Sequence, residues 1–131
     1  MYLQVPSLLI TDDDRDFRET LRGVFEPRGF RTLLAGNGQE ALEIVQREPV
    51  HLLLLDMHMP RLTGLETMRR AKALREVLPC ILISGNLDEQ TIEAAKQAEA
   101  FSILSKPVSF SEITWTVDAA LRLAYGWPSS S

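Results

Sequence analysis

The stretch His51-Leu52-Leu53-Leu54-Leu55-Asp56-Met57-His58-Met59-Pro60 decides how the rest of the chain is read. Four consecutive leucines without polar alternation predict a strand covered on both faces, the pattern of an interior strand in a parallel sheet. Asp56 ends that run. A carboxylate is among the side chains least often buried, because removing its charge from water is costly unless a partner compensates. Its place at the end of an interior strand therefore calls for a chemical reason.

Around this run, short β-type segments alternate with helical patterns. Leu8 to Thr11, Phe30 to Ala35, His51 to Leu55, Cys80 to Ser84 and Phe101 to Ser105 read as strands. Phe17, Leu21, Val24 and Phe25 form the apolar stripe of a first helix that ends near Pro27 to Gly29. Asn37 with Glu40 makes a capping-box-like start for a second helix, whose inner face is Ala41, Leu42 and Val45. A third begins near Gly64, presents Leu65, Met68, Ala71 and Leu74, and stops before Pro79. The fourth, Asp88 to Ala98, has only Ile92 and three alanines as apolar groups, which predicts shallow packing. Ser109 and Glu112 open the last helix, with Ile113, Val117, Leu121 and Ala124 on one side. This strict alternation argues for right-handed βαβ units, a parallel sheet and helices on both of its faces: an α/β fold.

The chain has 131 residues, 45% of them hydrophobic, and a formal net charge of -4, which suits one domain with a single core. Residues 1–126 are read as that domain and 127–131, within the terminal GWPSSS, as a flexible tail or the start of a linker. No Lys and Arg cluster is interleaved with aromatics, which disfavours direct nucleic-acid binding. No apolar run approaches the roughly 20 residues of a membrane span. The opening MYLQVPSLLI lacks the features of a signal peptide, and the lone Cys80 cannot form an internal disulfide, so a cytoplasmic setting is expected.

In parallel sheets ligands sit beyond the carboxyl ends of the strands. Asp12, Asp13 and Asp14 follow the first strand, Asp56 the third, and Lys106 the fifth, while Ser84 ends the fourth. Clustered carboxylates repel by about 4 kcal/mol per pair 4 Å apart at an effective dielectric near 20, so such an edge favours a cation. Oxygen donors without Cys or a His pair suit a hard ion and point to Mg²⁺. Asp56 could then attack phosphorus as a carboxylate nucleophile, with Lys106 spreading the charge on the phosphoryl oxygens and Ser84 donating a hydrogen bond.

These residues carry a resemblance. LLITDDDRDFR with its acidic pair, LLLLDMHMPRLTGLE around Asp56, CILISG with its hydroxyl and LSKP with its lysine, in this order, resemble the receiver domain of two-component response regulators from about Ser7 to Ala124. The resemblance implies a flavodoxin-like, three-layer fold with five parallel strands in the order 2-1-3-4-5 and five flanking helices. It implies Asp12, Asp13, Asp56 and the Met57 carbonyl as the Mg²⁺ site, with Asp13 and Asp56 as direct ligands and Asp12 acting partly through water. Asp56 would be the phosphoacceptor, loaded by a histidine kinase or a histidine phosphotransfer protein without turnover of a separate substrate. Ser84 would move toward the phosphoryl group, Lys106 would pair with it, and the Lys106–Pro107 peptide is often cis in the family. The surface of the fourth helix, fifth strand and fifth helix would change for a downstream effector or fused output domain, a homodimer being a further arrangement.

Receivers commonly place Tyr or Phe three residues before the lysine, and this chain has Ile103, a stiff β-branched residue with no ring to swing. Phe101, two residues earlier and expected on the same strand face, or a shift of the preceding loop, is the candidate substitute. Glu99 stands where Gly often precedes Ala100. His58, two residues past Asp56, is read as a tuning residue facing the phosphoryl group, against a merely exposed loop position. His51 is read as a strand-start residue without chemical duty, Cys80 as a small hydrophobe, Asp14 as a helix cap, and Trp115 equally as partner surface or core rim. Two rivals stay open: a Mg²⁺-dependent phosphohydrolase with an aspartyl nucleophile, and an interaction module with a vestigial acidic pocket.

Overall fold

The computed structural model describes residues 4–127. Each apolar run becomes a strand: β1 (Ser7–Thr11), β2 (Arg31–Ala35), β3 (Leu52–Asp56), β4 (Cys80–Ser84) and β5 (Ser102–Ser105). All pairings are parallel and the order is β2-β1-β3-β4-β5, as the resemblance implied. The chain therefore leaves β1 for the β2 edge and returns across it to β3, placing the topological switch point between β1 and β3.

Strand periodicity divides the core into two layers. Leu9, Leu53, Leu55 and Leu82 pack with Ala41 and Val45 of α2 (Gly38–Arg47), Met68 and Ala71 of α3 (Gly64–Leu74) and Ala95 of α4 (Glu89–Gln97). Leu8, Ile10, Leu52, Leu54, Ile81 and Ile83 pack with Leu21 and Phe25 of α1 (Arg15–Phe25) and Ile113, Val117 and Leu121 of α5 (Phe110–Tyr125). β1, β3 and β4 are buried at every residue, which explains why their apolar runs do not alternate.

Helix starts are capped by side chains, at Asp14, Asn37 and Ser109 as expected and at Asp88 in addition. Asp14, Asn37, Asp88 and Ser109 each accept backbone N–H bonds from the first turns of α1, α2, α4 and α5. The Asn37 and Glu40 pair differs in detail, because the Glu40 carboxylate accepts the N–H of Gly36 at 3.0 Å instead of closing a box on Asn37. The closed capping box belongs to α3, where Thr63 and Glu66 bond reciprocally. Leu74, expected on the inner face, is 44% exposed, because α3 ends there. Its neighbour Arg75 ties the end of α3 to α2 instead, donating to the carbonyls of Val45 and Glu48.

At the other edge of the sheet, His51 has structural duties. Its Nδ1 accepts the N–H of Ser7 at 2.9 Å, and its carbonyl accepts the Tyr125 hydroxyl at 2.7 Å. Trp127, assigned to the tail by its sequence neighbours, stacks on Tyr125 at 4.6 Å between centroids and meets the His51 ring. Residues 128–131 of the expected tail lie outside the described residues. Trp115 is 70% exposed, which places it on the surface.

One backbone position shapes the surroundings of Asp56, and a second lies at the opposite end of the sheet, before β5. A Cβ on Gly64 would lie 2.2 Å from the Asp56 carbonyl oxygen, so α3 can start against the end of β3 only with glycine there. Gly64→Ala should lower stability by about 1–3 kcal/mol through this overlap, measured as an earlier urea midpoint. On the opposite side of β4, α4 buries only Ala95 and is followed by Glu99 in the left-handed region at φ 65°. That conformation costs a non-glycine residue about 1 kcal/mol or more. Glu99→Gly should therefore raise stability by roughly 0.5–1 kcal/mol in the same denaturation experiment.

Candidate functional site

Parallel β1, β3, β4 and β5 all deliver their last residues to one edge, and the backbone bonds that end each pairing fix the positions of the residues just beyond. The Asp12 N–H donates to the Ala35 carbonyl, the Met57 N–H to Ile83 and the Lys106 N–H to Ser84. Carboxylate oxygens of Asp12, Asp13 and Asp56 thereby lie within 4.8 Å of one another. Asp12 and Asp56 are buried, whereas Asp13 is exposed. Asp14 is turned to its capping role, accepting from Asp16 and Phe17.

The Lys106 ammonium donates to Asp12 Oδ2 at 2.8 Å and stands 3.7 Å from Asp56 Oδ2. The peptide bond after it, to Pro107, is cis. Burial pulls the Lys106 pKa down, but the hydrogen bond to Asp12 and the charges of Asp12, Asp56 and Asp13 outweigh it and leave the pKa raised. For Asp56, burial and then the neighbouring charge of Asp12 push the carboxyl above its ordinary value. The His58 N–H and Lys106 offset this only in part. The site is thus short of positive charge, and its donors are all oxygens, so the residues present fit a small hard divalent cation.

Both Asp12 oxygens already accept hydrogen bonds, Oδ1 from the Asp14 N–H and Oδ2 from Lys106. Asp56 Oδ1 accepts only a long bond of 3.3 Å from the His58 N–H, and the Met57 carbonyl accepts the Gly64 N–H at 3.2 Å. Ser84 is fully buried at the end of β4, with its hydroxyl bonded to the backbone of Asn86 and to His58 Nε2. All of Asp12, Asp13, Asp56, Met57, Ser84 and Lys106 therefore reach the expected edge.

Two supporting residues carry no signal in the sequence. Phe17, taken only as part of the α1 stripe, lies 4.5 Å from the Lys106 ammonium across its ring face. Arg18 donates to the Asp12 carbonyl at 2.7 Å and fixes the turn after β1. Neither contact is marked locally, because each depends on a residue brought in by the turn or by the far end of the chain. Phe101 and Ile103 do not share a face. Ile103 packs with the α2, α3 and α4 layer and Phe101 with the α1 and α5 layer. β5 starts only at Ser102, so two-residue alternation does not extend back to Phe101.

Among known proteins, the model of the response regulator receiver domain matches residues 8–118. Sporulation initiation phosphotransferase F of Bacillus subtilis is 34% identical over 116 residues, covering 88% of this chain and 94% of that protein. Response regulator MprA of Mycobacterium leprae is 36% identical over 115 residues, again 88% of this chain, which spans half of that longer protein. A CheY-like receiver domain from Methanospirillum hungatei superposes with a TM-score of 0.89 at 23% identity, covering 94% of this chain and 98% of the other. The chain belongs to the response regulator receiver domain family, the phosphorylation-activated switches of two-component signalling.

Proposed function

We propose that Asp56 is the phosphoacceptor of this switch and that Asp12, Asp13, Asp56, Met57, Ser84 and Lys106 form its phosphoryl site. The observation that carries this is the convergence of three carboxylates within 4.8 Å beside an ammonium 3.7 Å from Asp56. An Asp56 oxygen attacks the phosphorus of a phosphohistidine on a sensor kinase or phosphotransfer protein. The new P–O bond replaces the P–N bond, whose electron pair stays with the leaving imidazole. Lys106 needs little movement to transfer its pairing from Asp12 to a phosphoryl oxygen. Mg²⁺, when bound, neutralises charge on the phosphoryl oxygens. Asp13, Asp56 and the Met57 carbonyl would hold it directly, and Asp12, with both oxygens engaged, through water.

Loading and unloading are self-catalysed steps of the switch, with no separate substrate turned over. The partner downstream is an effector protein or a fused output domain. Among the described residues no helix is long and apolar enough to cross a membrane. Cys80 is a free, buried thiol, and the absence of disulfides among the described residues suits a reducing cytoplasm; burial pushes its pKa up to about 12. A phosphohydrolase of similar fold would want an acid two residues past the nucleophile. His58 there is bonded to Ser84, and absence of phosphate-ester turnover would set that rival aside.

With acetyl phosphate and Mg²⁺, the wild type should acquire acid-labile phosphate and Asp56→Asn none, while Ser84→Ala is loaded but responds weakly, as read by changes in amide chemical shifts. Uptake by Asp56→Asn equal to wild type would overturn the assignment.

The raised Asp56 pKa adds a pH signature without phosphate. Because the folded state holds the Asp56 proton more tightly than the unfolded chain, ionising Asp56 costs stability above its folded pKa. That cost vanishes as pH falls toward the ordinary value of 3.8. Asp56→Asn should therefore melt higher than wild type at neutral pH in chelator, with the gap closing on acidification. Added Mg²⁺ should raise the wild-type midpoint more than that of the variant.

A further inference from the structure

We propose that His58 is a positioning residue that latches Ser84, and with it the start of α4, in the unloaded form. This rests on the assignment of Asp56 as acceptor and concerns how that site is regulated. The Ser84 hydroxyl has one proton to donate and two lone pairs to accept with. Around it lie the Asn86 N–H, the Asn86 carbonyl and His58 Nε2, each at 3.0 Å. One arrangement satisfies all three: the Asn86 N–H and a protonated His58 Nε2 donate to Ser84 Oγ, and Ser84 donates to the Asn86 carbonyl. The hydroxyl is then saturated by its present partners. It can donate to a phosphoryl oxygen on Asp56 only by giving up the Asn86 carbonyl, and turning toward that oxygen strains or breaks its bond with His58.

The same string continues into α4. The Asn86 side chain donates to Asp88 Oδ2 at 3.3 Å, and Asp88 Oδ1 accepts the Thr91 N–H at 2.8 Å as the cap of α4. Movement of Ser84 therefore disturbs the residue that holds the α4 cap. His58 sits at the fixed end, two residues from Asp56 along the backbone, and its own N–H bonds the Asp56 carboxylate at 3.3 Å. Its side chain is exposed, so its removal leaves the core untouched. The latch opposes loading, and weakening it favours the form in which Ser84 faces the acceptor.

Equilibrium binding of beryllofluoride with Mg²⁺, a stable mimic of the acyl phosphate, tests this by ¹⁹F NMR on the full chain, His58→Ala, Ser84→Ala and the double variant. Loss of one net hydrogen bond from the unloaded form should tighten binding by about two- to tenfold in His58→Ala. The gain should vanish when Ser84→Ala is already present, since His58 acts through that hydroxyl. An equal change in both backgrounds would mean that His58 acts on the phosphoryl group directly, and would overturn the latch. So would an unchanged or weaker affinity in His58→Ala. A wild type that binds beryllofluoride without coupling between positions 58 and 84 removes the latch alone. A wild type that binds none and takes up no phosphoryl group removes the acceptor assignment with it.

Discussion

Asp12 carries a carboxylate that is 1% exposed, and the rest of the strand-end cluster is arranged around the cost of keeping that charge out of water. Lys106, from the far end of the chain, supplies the compensating ammonium, and the Asp14 N–H occupies the other oxygen. With Asp12, Asp13 and Asp56 all ionised, three negative charges face one positive charge, so two remain unbalanced. Each uncompensated pair at such spacings is worth on the order of 4 kcal/mol at an effective dielectric near 20, more than one hydrogen bond returns. A divalent cation matches that deficit. If Asp56 is the acceptor, as proposed, an incoming phosphoryl group would bring further negative charge and require both the lysine and the ion. The pKa of Asp56 is raised first by burial and then by the charge of Asp12, the part that belongs to this imbalance.

Much of this was legible in the chain because parallel sheets make strand ends coincide. The Leu52 to Leu55 run could be placed in the interior without any contact information, and once it was, Asp12, Asp56, Ser84 and Lys106 had to share an edge. Side-chain partners were less legible. Thr63 and Glu66 close a capping box that has the right spacing in the sequence, yet the glycine beside them was the stronger punctuation. Leu74 keeps the helical period of α3 but lies on its last turn, where it is covered only in part. His51 looks inert by sequence because its partners, Ser7, Tyr125 and Trp127, come from both ends of the chain. Phe101 falls on the other face for a different reason: alternation holds only within a strand, and β5 begins one residue later.

Ile103 stands where receivers commonly carry a ring, and β5, Ser102 to Ser105, has no aromatic of its own. Ile103 packs within the layer that holds Ala95, the only buried residue of α4. A helix held by so little apolar area is inexpensive to shift, and the residue just past its end is the left-handed Glu99. In the proposed switch, hydrogen bonds rather than a swinging ring would be the connection, from Ser84 through Asn86 to the Asp88 cap.

The two sides of Asp56 differ in how strongly they are restrained, and in the proposed switch this would set the direction of movement. Toward α3, Gly64 lies against the Asp56 backbone, its N–H bonds the Met57 carbonyl, and the capping box holds the helix start. Thr67 is buried tightly against Gly38 of α2, and Arg75 clamps the far ends of the same two helices. A displacement on that side would have to break several of these contacts together. Toward α4, a few hydrogen bonds around one serine and a single buried alanine stand in the way. Under the proposed role of Asp56, charge arriving there would act on both sides alike, and the response would take the path of weaker restraint, with the β3 to α3 connection as the anvil and the β4 to α4 loop as the moving part.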